Sequence, residues 1–180
     1  MDFKTIILKK VDHIATITLN RPDRRNTING AMEDELVQAL KDISQDSQIR
    51  VMVLTGAGKA FCAGGDISPG SEQRLGTTVQ EMSRSLRRTY QGTTLQLYDQ
   101  EIPTIAMVNG VASGWGLDLV LACDIRIGSE NARLNSAFVR VGLTPATGGV
   151  WLMPRTMGLA KAYELAFTGD FVDAKEAERL

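Results

Sequence analysis

Residues 14–19 alternate apolar and polar side chains, the period of a strand with one buried face, and a second β-rich run at 5–9 precedes them. The stretch 20–26 then breaks the pattern with turn residues and three arginines. Asn29 offers an N-cap for a helix in which Met32, Leu36, Leu40 and Ile43 recur at helical spacing. Continuous apolar runs at 51–54, 105–108 and 125–127 predict strands covered on both faces. A polar loop is expected over 68–77, followed by a helix to about Gln100. A short helix is expected to begin near Gly116, and helical patterns dominate from Gly149 onward, with Pro154 and Gly158 as punctuation. Strands alternating with helices in this way predict a layered α/β fold in one domain over 1–180.

Composition narrows the choice of chemistry. The chain is 43% hydrophobic and 23% charged, ordinary for a globular protein. Twenty basic residues against 21 acidic give a net charge of -1, so no general basic field favours nucleic acid. No apolar stretch approaches the roughly 20 residues of a membrane helix, and the amino terminus lacks a secretory pattern. A cytoplasmic setting is the expectation.

His13 is the only histidine and sits in a predicted hairpin turn, which leaves no partner set for a Ser-His-Asp triad. Cys62 and Cys123 lie in apolar surroundings and read as packing residues, and no Cys/His cluster has metal-site spacing. Tyr90 and Tyr98, at helical spacing, read as core.

The informative segments are two glycine-bearing turns, each after a β-rich run: Phe61-Cys62-Ala63-Gly64-Gly65-Asp66-Ile67 and Ser113-Gly114-Trp115-Gly116-Leu117-Asp118. Such turns aim backbone N–H groups into a cleft, and two donors converging on a carbonyl oxygen stabilise the charge that develops when a thioester enolises. Both segments resemble the crotonase (enoyl-CoA hydratase/isomerase) superfamily. The resemblance implies a crotonase-like ββα spiral acting on an acyl-CoA thioester, with the oxyanion donors at the N–H groups of Gly65 and Trp115. It also implies that Ala63, Asp66 and Ile67 line the adenine and pantetheine path. Arg24, Arg25 and Lys59 fall where the family contacts the coenzyme A phosphates. No cofactor is implied beyond the coenzyme A of the substrate.

Asp118 falls at the position of the first catalytic glutamate of the hydratases and is the expected proton shuttle. Where hydratases carry a second glutamate this chain has Phe138, and a further aspartate used by some isomerases is replaced by Ala146. One carboxylate moves a proton between two carbons more readily than it holds and splits a water, so double-bond isomerisation is favoured over hydration. Thr144, Thr147 and Arg140 are alternative residues for orienting water. Family members commonly have small residues where Trp115 stands, which suggests a flat or unusual acyl group, unless the indole only packs.

Competing readings are hydrolysis or ring chemistry on an aromatic or alicyclic acyl-CoA, and a silent coenzyme A-binding protein that kept the fold. The pattern at 174–180 reads as a helix cut off in progress, and the resemblance covers about two-thirds of a typical family domain. A fragment lacking C-terminal helices is therefore expected, with a homotrimer or dimer of trimers when full length.

Overall fold

The structure, a computed structural model, describes residues 2–68, 78–88 and 90–180. Most of the predicted polar loop at 68–77 lies outside the described residues. Strands β1 (Ile6–Val11) and β2 (Ile14–Leu19) form an antiparallel hairpin turned at Asp12 and His13, both in the left-handed region. His13 is a surface turn residue whose Nδ1 meets the Gln48 carbonyl. β3 (Val51–Gly56), β5 (Thr104–Val108) and β7 (Ile125–Gly128) extend this sheet in parallel, in the order β1-β2-β3-β5-β7.

A second sheet is built from short strands: β4 (Ala60–Cys62), β6 (Val111–Ser113), β8 (Arg133–Asn135) and β9 (Val172–Asp173). The chain passes repeatedly from a strand of the first sheet to a strand of the second and then into helix, which is the ββα spiral. Thus β3 and β4 lead to α2 (Val79–Arg88) and α3 (Tyr90–Tyr98), and β5 and β6 lead to α4 (Trp115–Ala122). β7 and β8 lead, through a 3-10 turn at Ala137–Val141, to α5 (Gly149–Met157). Helix α1 (Gly30–Ser44) precedes the spiral, and α6 (Leu159–Thr168) and α7 (Ala174–Arg179) follow it.

Local chemistry explains these elements. The Asn29 side chain accepts from the Met32 N–H and caps α1, as its position predicts. Met32, Leu36, Leu40 and Ile43 are buried against Ala15, Ile17, Leu19, Met52 and Leu54 of the first sheet in one core. The corners between the sheets need glycine, because a Cβ on Gly56 would overlap the Ala60 and Phe61 carbonyls, and one on Gly110 the Lys59 carbonyl. Asn26 and Asn109 hold the same corner, donating to the Ala60 carbonyl at 2.8 and 3.3 Å. The Asp124 carboxylate accepts from both the N–H and the hydroxyl of Thr104, tying the end of α4 to the start of β5.

Two expectations are corrected. The runs at 105–108 and 125–127 are not covered on both faces: Met107, Ile125 and Ile127 are exposed. Pairing aligns Val53, Ile105 and Ile125 on the same sheet face, and that face is open at the β7 edge. The expectation of helix up to Gln100 is met by helical structure at Val79–Arg88 and Tyr90–Tyr98. Tyr98 is half exposed and meets the Trp151 ring edge-on, so it is not core. Cys62 and Cys123 are buried packing residues, and burial pushes both thiols up to about 12. No described helix is long and apolar enough to cross a membrane.

Candidate active site

Segment 63–66 lies as a short extended strip along residues 25–28. Ala63 N–H donates to the Arg25 carbonyl at 3.0 Å, Ile28 N–H to the Gly64 carbonyl at 2.8 Å, and Asp66 N–H to the Ile28 carbonyl at 2.8 Å. This parallel bridge uses the groups on either side of Gly65. Backbone groups alternate in direction along an extended strip, so the Gly65 N–H points away from Ile28. Gly64, with φ +103°, makes the bend that precedes it.

The second turn comes close to the first. A Cβ on Gly64 would lie 2.9 Å from the Ser113 carbonyl oxygen and 3.8 Å from the Trp115 nitrogen. Gly114, at φ +54°, donates its N–H to the Asn135 carbonyl at 2.9 Å and leaves Trp115 as the first residue of α4. An N–H in the first turn of a helix has no partner within that helix. Among the described residues, neither Gly65 nor Trp115 N–H donates to a turn or loop carbonyl. Gly116 presses the start of α4 on β4, since the Cys62 carbonyl occupies the place its Cβ would take.

Asp118 follows Trp115 by three residues on α4 and is 0% exposed. Its Oδ2 accepts from the Thr147 hydroxyl at 2.5 Å. Its Oδ1 has no hydrogen-bond partner and rests against the backbone of Gly149, the first residue of α5. Burial pushes the carboxyl up to about 7, against the smaller opposing pulls of the Thr147 hydroxyl and the Gly149 N–H. The Gly149 N–H adds to that pull, yet no hydrogen bond reaches Oδ1, which stays unpartnered. A buried carboxyl that titrates near neutrality can both take up and release a proton at physiological pH.

The Trp115 indole is buried, donates from Nε1 to the Thr94 hydroxyl at 3.1 Å, and lies 5.0 Å, centroid to centroid, from the Tyr90 ring. It is therefore packed on α3. The partly exposed Phe138 ring approaches the space beside Gly114, 3.8 Å from where a Cβ would sit. Arg24, Arg25 and Lys59 are exposed. The Arg25 carbonyl accepts from the Ala63 N–H in the first glycine turn, and the Lys59 carbonyl lies close against Gly110. Ala63 and Asp66 are partly buried, and Ile67 is 64% exposed.

Sequence reading missed Arg21, whose guanidinium pairs with Asp66 at 2.9 Å and also donates to the Thr27 carbonyl. Burial tends to raise the Asp66 carboxyl, but hydrogen bonds from Ser68 and the Arg21 guanidinium outweigh it and hold the group below its ordinary value. Thr94 was also missed. Neither partnership leaves a signal in sequence, because the pairs lie far apart along the chain. Ala146 leaves no carboxylate at its position, and its carbonyl accepts from Gln91. Among the described residues, no group of three or more His, Cys, Asp or Glu side chains has the arrangement to hold a metal. A cavity of about 820 Å³ lies on another face of α4, along Leu117, Val120 and Leu121 toward α7, and takes in none of Gly65, Trp115 or Asp118.

Residues 9–180 match the family model described as enoyl-CoA hydratase/isomerase. The chain is 40% identical over 164 residues to the 1,2-epoxyphenylacetyl-CoA isomerase of Escherichia coli, covering 91% of this chain and 62% of that protein. It is 37% identical over 180 residues to a protein of Rhodobacter capsulatus named probable enoyl-CoA hydratase, covering 100% of this chain and 67% of that one. The crystal structure of an enoyl-CoA hydratase from Bacillus anthracis superposes with a TM-score of 0.87 at 33% identity, covering 98% of this chain and 67% of its own. The chain thus spans about two-thirds of the length of these relatives.

Proposed function

The chain belongs to the enoyl-CoA hydratase/isomerase family, and from that premise we propose that it isomerises the double bond of an enoyl-CoA thioester. The thioester oxygen accepts from the N–H groups of Gly65 and Trp115, and the positive end of α4 adds to the stabilisation. Asp118 carboxylate takes a proton from the carbon α or γ to the carbonyl, leaving an enolate whose charge rests on that oxygen. The same carboxyl then returns the proton to the other carbon, and the double bond has moved. Phe138 supplies an apolar wall and no second acid, which favours this shuttle over hydration. The reaction so written needs no metal or redox group.

The observation that supports the reading most is the meeting of the two glycine turns at the start of α4, the helix that carries a buried carboxyl with one unpartnered oxygen. Around it, Arg24, Arg25 and Lys59 hold the coenzyme A phosphates, arginine by bidentate hydrogen bonds. Ala63, Asp66 and Ile67 border the adenine and pantetheine, with Arg21 holding the Asp66 carboxylate in place. The proposed assembly of the full-length protein is a homotrimer or dimer of trimers in the cytoplasm.

A second reading, ring chemistry on an aromatic acyl-CoA, is favoured by the Phe138 ring beside Gly114 and by the name of the E. coli relative. One assay separates the readings. The protein is incubated with 2-enoyl-, 3-enoyl-, dienoyl- and arylacetyl-CoA esters in deuterated water. Deuterium at carbons 2 and 4 without a hydroxylated product supports isomerisation. A 3-hydroxyacyl product contradicts it, and turnover confined to the aryl ester supports the second reading. Coenzyme A binding with no turnover, unchanged by Asp118→Asn, would mean a silent binding protein.

A further inference from the structure

Thr147 lies in the turn that leads into α5, far in sequence from Asp118, and both side chains are buried. A threonine hydroxyl has one hydrogen to donate. Here it goes to Oδ2 of Asp118 at 2.5 Å, and Oδ1 is left without a partner. On the other side, the absence of a side chain at Gly149 makes room for Oδ1, since a Cβ there would collide with it. The turn 147–149 therefore grips the two carboxyl oxygens unequally: one is bound and one is unpartnered.

We propose that Thr147 is a positioning residue for Asp118, holding Oδ2 so that Oδ1 is the oxygen that exchanges the proton with the acyl chain. This deepens the function proposed above and rests on it. A hydroxyl donated to a carboxylate stabilises the charged form, so Thr147 also keeps the group sufficiently ionised to act as a base in spite of its burial. The elements packed on α4 bring few other titratable groups: Cys62 on β4, Tyr90 and Tyr98 on α3, and Arg155 on α5. None of these contributes to the Asp118 shift, which comes from burial, the Thr147 hydroxyl and the Gly149 N–H.

The test reads the protonation of Asp118 directly, by the carbonyl stretch of its protonated carboxyl in the ligand-free protein, assigned with Asp118→Asn. In Thr147→Val, which keeps the shape and removes the donor, the titration midpoint should rise by about one pH unit, a tenfold gain in proton affinity. Thr147→Ala should shift it in the same direction and stands in if the valine variant does not fold. Thr147→Ser should restore the wild-type midpoint. A midpoint unmoved in the valine and alanine variants, or a serine variant that titrates like them, overturns the proposal. With turnover of an enoyl-CoA, the acidic limb of the kcat/KM profile should move with the infrared midpoint, and a limb that stays put also overturns it. If no acyl-CoA is turned over, the functional reading fails, while the infrared titration still decides whether Thr147 holds the carboxyl.

Discussion

At the scale of single residues, Asp118 dominates. Its folded-state value near 7 lies above the ordinary carboxylate value of 3.8, so the folded protein binds this proton more tightly than the unfolded chain. Stability is therefore lost as pH rises from about 4 to 7, and above 7 the charged, buried group costs on the order of 4 kcal/mol. Asp118→Asn removes that cost. The variant should melt above wild type at pH 8 and lose the advantage near pH 4, as thermal unfolding across pH would show. Equal melting temperatures at pH 8 would contradict the burial described for this group. As a base, the same carboxyl must be ionised, so kcat/KM should climb through about pH 7. Asp118 is a candidate in the sequence through the resemblance of the second turn, and its burial is a finding of the structure. Its pairing with Thr147 was not legible there, because nothing in the spacing says that the 147–149 turn folds back onto α4. Trp115 illustrates the same limit. Its proposed backbone role comes from the resemblance of the second turn, whereas the indole's packing on Tyr90 and Thr94 depends on where α3 lies.

At the scale of elements, the long periodic segments were readable and the short ones were not. The alternation of 14–19 and the capped helix after Asn29 carry enough residues to establish a period, and both occur as β2 and α1. The second sheet was unseen because β4, β6 and β8 are three residues each and β9 two, too few for any pattern to emerge. Those strands are fixed by tertiary contact, with glycine at the corners as the only local trace. This gives a paired prediction. Gly116→Ala puts a Cβ into the Cys62 carbonyl, where backbone has little room to yield, and should destabilise by about 3 kcal/mol or more. Gly92→Ala in α3 meets the Arg87 carbonyl at 3.6 Å, an ordinary contact, and should be neutral or stabilising by about 0.5–1 kcal/mol. Urea denaturation of the two variants checks both, and similar midpoints would contradict the tight seating of α4 on β4.

At the scale of the whole molecule, one hydrophobic cluster runs from Ile6 through the sheets to Ala162. Heating should therefore unfold the chain in a single step, with near- and far-ultraviolet circular dichroism giving the same midpoint. Two separated midpoints would mean that the cluster does not act as one core. The α/β class was legible from strand–helix alternation, and the spiral from the resemblance of two short turns. Which sheet faces stay open was not, because apolar runs such as 125–127 look alike whether covered or at an edge. With a net charge of -1, the anionic substrate is proposed to be met by local cations such as Arg24, Arg25 and Lys59 and not by a general field. The grip on the thioester oxygen is the claim on which the proposed activity stands, and the vibrational spectrum of a bound acyl-CoA with a carbon-13-labelled carbonyl reads it directly. Polarisation by the Gly65 and Trp115 amides should move that stretch to lower frequency than in water. A bound thioester whose carbonyl frequency stays at its value in water would contradict the account.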